Sequence, residues 1–174
     1  MAAPDKLEDA VAQQNGAYEP QRAYQWILRI PGIQGEKVLE LSLRGGALPS
    51  ESNDDIEIPI LNGRVYVAGK QQYDQGSFQF NDYVDQDTMG LIGLWRDQIY
   101  DPTTMRQGYA SDYKYRGELI LYGPDYSVER VWWLHGIWPQ AVNYGTISYE
   151  TADVVQIDVT FRYDRAIRQS GWVK

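Results

Sequence analysis

His135 is the sole imidazole of this chain, and there is no cysteine. Those two counts remove most side-chain chemistry at once. Thiolate nucleophiles, thiol–imidazole pairs, disulfide frameworks and the common zinc ligand sets are all excluded. A Ser-His-Asp triad needs a serine presented on a strained elbow, and no Gly-x-Ser-x-Gly stretch occurs. Flanked by Leu134 and Gly136, His135 reads as a packed structural residue. Carboxylates are plentiful, 24 in all, so a hydrolytic carboxylate pair is the one catalytic chemistry left open. Their densest clusters are Asp54-Asp55 and Asp85-Gln86-Asp87. Neither has the loop spacing of a calcium-binding hand, and the second reads as the cap of a following helix. There is no glycine-rich phosphate loop. No residue is nominated as catalytic, cofactor-binding or metal-ligating.

The six Trp and fourteen Tyr residues offer a different chemistry. Exposed rings stack on sugars, which suits a carbohydrate-binding β-sandwich. The same residue types are enriched at the centres of subunit interfaces. Core packing covers Trp26, Trp95 and Trp132 best. Trp133 follows Trp132 on a strand-like run and must face the other way, onto a second layer or another subunit. Net charge is −8, opposite to the basic footprint of a nucleic-acid binder. The segment 47–61 carries Glu51, Asp54, Asp55 and Glu57 without a base, and 74–87 carries Asp74, Asp82, Asp85 and Asp87, also without one. The segment 162–174 is basic, with Arg162, Arg165, Arg168 and Lys174 against Asp164. Such segregation suits head-to-tail contact between identical subunits, or simply solvated loops.

The elements that must carry these residues are mostly strands. A short helix is expected in the first 16 residues, with Pro4 in its first turn and Gly16 as its stop. The alternation Tyr24, Trp26, Leu28, Ile30 predicts one strand and Leu39, Leu41, Leu43 a second, joined as a hairpin through Pro31–Glu36. Ile56, Ile58 and Ile60 alternate with polar residues up to Asn62-Gly63, the strongest turn signal in the chain, and Val65 and Val67 continue beyond it. Pro59 lacks a ladder donor, which places its strand at an edge or on a pairing surface outside the fold. Phe78 and Phe80 mark another strand. Met89, Ile92, Trp95 and Ile99 recur at helical spacing between an Asp87 cap and Pro102. Further strands are expected at Leu119–Leu121, Val128–Leu134 and Ile147–Tyr149, then a last one from Val155 to Tyr163. Gly136-Ile137-Trp138-Pro139 reads as a sharp corner between two strands. The fold expected is mainly β, a sandwich or barrel with one flanking α-helix, in a single domain over 1–174. Within it, 1–22 forms an N-terminal arm and 165–174 a C-terminal extension. No stretch reaches the roughly 20 apolar residues that span a bilayer, and the first residues do not read as a signal peptide.

In order along the chain, Trp26, Ala47-Leu48-Pro49, Ile58-Pro59, Val65–Gly69, Phe78–Asp82, the helix around Trp95, Gly136–Pro139 and the final strand resemble the tail tube proteins of contractile-tailed bacteriophages. The resemblance covers about Tyr24 to Tyr163. It implies a structural virion protein that forms homohexameric rings, stacked head to tail into the inner tube of a contractile sheath. Sheath, baseplate and tail terminator proteins would be its partners, with no cofactor and no membrane anchor. Double-stranded DNA would pass through transiently, without specific binding. The protein would assemble in the host bacterial cytoplasm and reside in the virion tail. Under the resemblance, Leu48, Pro49, Ile56, Ile58, Pro59, Trp133, Trp138 and Pro139 are expected at contacts between subunits or rings. Glu51, Asp54, Asp55, Glu57, Asp82 and Asp85 are expected at an acidic lumen or stacking surface. Inner tubes of tailocins, extracellular injection particles and type VI secretion share the pattern. A carbohydrate-binding module and a carboxylate hydrolase are the readings from other classes.

Overall fold

The computed structural model describes residues 20–150 and 152–169, so the expected N-terminal helix lies outside the described residues. Strand β1 (Trp26–Arg29) is followed by helix α1 (Glu36–Ser42) and strand β2 (Leu43–Gly46). A long hairpin comes next, β3 (Glu51–Ile60) and β4 (Gly63–Tyr73), then β5 (Gly76–Asn81) and the main helix α2 (Thr88–Ile99). A minor hairpin, β6 (Tyr100–Asp101) and β7 (Arg106–Gln107), and the single turn α3 (Ala110–Tyr113) lead into β8 (Tyr115–Tyr122). The chain closes with β9 (Val128–Asn143), β10 (Gln156–Arg162) and β11 (Arg165–Arg168). Seven of the described strands form one antiparallel sheet in the order β1-β8-β9-β10-β5-β2, with β11 also on β9.

That sheet curls because β9 bends. Gly136 has φ +66, a backbone region open to glycine, and an added Cβ would collide with the Asp164 carboxylate. Before the bend β9 pairs with β8 on one side and β11 on the other; after it, β10 takes over. The opposing strand breaks at the same level, between β10 and β11. There the Asp164 amide donates to the His135 carbonyl (2.8 Å), and Lys114 Nζ lies 2.8 Å from the Asp164 carboxylate. The expected corner is therefore a kink inside one sixteen-residue strand, not a joint between two. The first four residues assigned to a C-terminal extension supply β11.

Inside the curl, Phe161 meets Phe78 (5.5 Å between centroids), Phe80 (6.2 Å) and Trp95 (5.4 Å). Ile157, Val159 and Leu134 complete a fully buried core. Helix α2 covers its open side. Asp87 caps it by accepting from the Gly90 amide, Thr88, Ile92, Trp95 and Ile99 are its buried face, and Trp95 Nε1 donates to the Tyr113 carbonyl (2.8 Å).

Three expectations are corrected. The segment with Leu39, Leu41 and Leu43 is not a strand paired with β1. Residues 36–42 form α1, which buries Leu39 and Ser42 at i, i+3 and leaves Leu41 exposed, while β1 pairs with β8. Glu36, Lys37, Leu39, Glu40 and Leu41 are all good helix formers, so local preference beats a short alternation. No strand forms at Ile147–Tyr149; both side chains are exposed in a loop without a ladder partner. The long hairpin turns on Leu61-Asn62, one residue earlier than the Asn62-Gly63 signal, and Gly63 already belongs to β4.

Candidate functional site at an exposed hairpin

The β3–β4 hairpin stands away from the core. Its register places Ile56 opposite Val67 and Ile58 opposite Val65, with Ile60 opposite Gly63. Directly opposed residues share a face, so Ile56, Ile58, Ile60, Val65 and Val67 form one apolar ladder. Asp55, Glu57, Pro59, Arg64, Tyr66 and Ala68 occupy the other face. Each rung of the ladder remains 44–52% exposed, and Leu61 at the tip is fully exposed. Burying the open half of five such side chains is worth roughly 4–7 kcal/mol before association costs. A two-stranded ribbon with one apolar face is marginal in water by itself, so this surface calls for a partner.

The base of the hairpin is pinned by polar contacts. Ser50 Oγ donates to Asp74 (3.1 Å), Gln71 to Glu51 (2.8 Å) and Gln72 to Asp54 (2.7 Å). Higher up, Arg64 pairs with Glu57 at 3.2 Å across the polar face. Beneath the base lies Tyr163, 3% exposed; burial pushes its hydroxyl above the ordinary tyrosine range, and the nearby Asp74 carboxylate adds to the shift.

The residues singled out from sequence scatter over three environments. Ile56, Ile58 and Pro59 are exposed on the hairpin, Pro59 in a strand whose other edge pairs with nothing described. Leu48 is exposed and Pro49 half-buried just before β3. Trp132 packs on the core, whereas Trp133 faces outward, half-buried beneath the Arg116 guanidinium at 4.1 Å. Trp138 is half-buried and packs edge-on against Tyr113 (5.8 Å). Pro139 has its side chain fully buried within this chain. Among the acidic residues, Glu51, Asp54, Asp55 and Glu57 share β3. Asp82 instead accepts from the Met89 amide (3.1 Å) at the start of α2, and Asp85 is exposed in the preceding turn. The sequence reading missed Ile60, Leu61, Val65 and Val67 as contact candidates, although the alternation running through the turn carried the signal.

Among the described residues, no group of three or more His, Asp or Glu converges as a metal site. None of the five described tryptophans is exposed, whereas Tyr24, Tyr109, Tyr126 and Tyr149 are.

No protein-family model matches the chain, and no curated protein matches it. Solved structures do. A chain of the PVC sheath–tube complex, from an extracellular contractile injection system in its extended state, superposes with a TM-score of 0.70 at 16% identity, covering 90% of this chain and 96% of that one. A chain from the tube-terminating cap of the anti-feeding prophage reaches 0.71 at 13% identity, covering 90% and 95%. This chain has the tail-tube fold. A type six secretion system protein shares the tail-tube fold more loosely, with a TM-score of 0.54 at 10% identity over 84% of this chain and 83% of that one.

Proposed function

We propose that this chain is the structural subunit of the inner tube of a contractile injection machine, building rings that stack head to tail inside a sheath. The exposed apolar ladder of β3–β4 carries the reading. It gives a folded subunit a large unsatisfied surface of a kind that a solitary domain avoids.

The sheet supports ring closure. Strands β2, β5, β10 and the last residues of β9 form a four-strand section, and β2 pairs only with β5 among the described strands. Four antiparallel strands leave two outer strands of opposite direction. Copies related by rotation can therefore pair β2 of one with β9 of the next, and closing the ring removes both edges.

The face of this section turned away from the core suits a channel wall. Ser77 and Gln79 alternate with buried Phe78 and Phe80, and Asp158 and Thr160 alternate with buried Ile157, Val159 and Phe161. Asn81 and Gln156 extend the same polar rows. Amide, hydroxyl and carboxylate groups make up most of these rows, with Arg162 ending the β10 row and Arg44 exposed on β2, so a passing phosphate meets few cations. The finer reading follows: six subunits per ring, contact with sheath, baseplate and terminator, and delivery of double-stranded DNA from a bacteriophage tail assembled in the bacterial cytoplasm.

Electron microscopy of the purified chain beside Ile58→Asp tests this. The wild type should form rings or tubes. The variant should stay folded and raise the concentration needed for assembly at least tenfold, because a carboxylate on the ladder must be desolvated. Unimpaired assembly of Ile58→Asp would remove the hairpin from the interface.

A further inference from the structure

The curled sheet does not close along one seam. A Cβ added at Gly46 of β2 would lie 2.8 Å from the Trp26 ring of β1, so these outer strands nearly touch. Beside that contact they leave a groove of about 310 Å³. Trp26, Leu48, Leu119 and Leu121 line it, together with the small Ala23 and Ala47. Leu119 and Leu121 are buried, so the groove opens directly onto apolar packing. Arg22 supplies its charge, and no carboxylate stands among the described lining residues.

The chain enters the fold at this same groove. Residues 21–23 belong to its lining, and Gln21 Nε2 donates to the Tyr122 carbonyl (2.9 Å), which fixes the point where the first nineteen residues join the rim. Those nineteen carry Leu7 and Val11 at i, i+4 spacing, a pair that shares one helical face with Ala3 and Ala10. Asp5, Glu8 and Asp9, against Lys6 alone, fall on the other side. A helix that short is marginal in water without a surface to pack on.

We propose that the N-terminal segment folds back over the β1–β2 groove of its own chain, seating Leu7 and Val11 against Trp26 and Leu48 and closing the seam. Reach allows it: the nine residues from Val11 to Pro20 span at most roughly 30 Å, with Gly16 free to turn. Attachment at the rim holds the segment at an effective concentration on the order of millimolar, which favours it over a second molecule. Charge agrees, because an acidic segment meets a groove whose charge is Arg22. The contact is made within one chain and stands apart from the ring reading.

The cysteine-free chain permits a direct test. Ala47→Cys places a thiol on the groove, and adding Leu7→Asp/Val11→Asp should speed its modification by a charged thiol reagent at least tenfold. Val11→Cys/Ala47→Cys should oxidise to a disulfide within one chain in dilute solution. The control Val11→Cys/Met105→Cys, whose second thiol lies on an exposed turn, should not. Unchanged thiol reactivity, or no intrachain disulfide, overturns the inference. A linked dimer from mixed Val11→Cys and Ala47→Cys single variants gives the groove to the segment of a second copy and overturns it too. None of these results touches the tube reading, which electron microscopy tests separately.

Discussion

Phe161 sits where Phe78, Phe80 and Trp95 converge, joining β5 and β10 to helix α2. Phe161→Ala should cost about 3–5 kcal/mol of stability, measured by urea unfolding, because three rings cannot collapse into the void. Gly136→Ala strains a positive-φ position and drives a methyl into Asp164. A loss of about 1–3 kcal/mol is expected in the same measurement, with unchanged stability refuting the kink. Tyr163 gives a pH signature. Its folded hydroxyl titrates above the ordinary value of about 10, so the folded state holds the proton longer than the unfolded chain does. Its contribution is fully present below pH 10 and is lost as pH rises through the folded value. Tyr163→Phe should flatten alkaline destabilisation of the monomer above pH 10. An identical pH profile would show that the hydroxyl is not held back by its surroundings.

At the scale of elements, the ladder is the feature most legible in the sequence. Ile56, Ile58 and Ile60 alternate with polar residues, and Val65 and Val67 resume the pattern on the return strand, so both periodicity and turn announce the hairpin. The final strand and helix α2 were equally readable, because seven and twelve residues of sustained period leave little ambiguity. Helix α1 was not. Its seven residues fit both an alternation of leucines and a two-turn helix, and only the pairing of β1 with distant β8 decides between them. Exposure was legible as pattern and not as fact: β10 alternates just as β3 does, yet one buries its apolar face in its own core and the other does not. Ile58→Asp belongs to this scale, and its effect should fall on assembly with monomer stability changed by about 0.5 kcal/mol or less. A variant that unfolded instead would mean the ladder packs within its own chain.

For the whole molecule, two features among the described residues point outward together: the apolar hairpin and the unpaired outer edges of the sheet. The proposed arrangement satisfies both, a rotation that closes edges and a translation that covers hairpins. The net charge of −8 opposes indiscriminate association, so the assembly proposed would rest on these specific surfaces. The tail-tube fold, shared with injection-machine chains at 16% and 13% identity, shows how little of the fold depends on residue identity. The most direct measurement is electron microscopy of the purified chain across a concentration series, with light scattering on the same samples and Ile58→Asp alongside. Rings or stacked tubes with an open lumen, lost in the variant, are the predicted result. A wild type that remains monomeric throughout, indistinguishable from Ile58→Asp, would contradict the account.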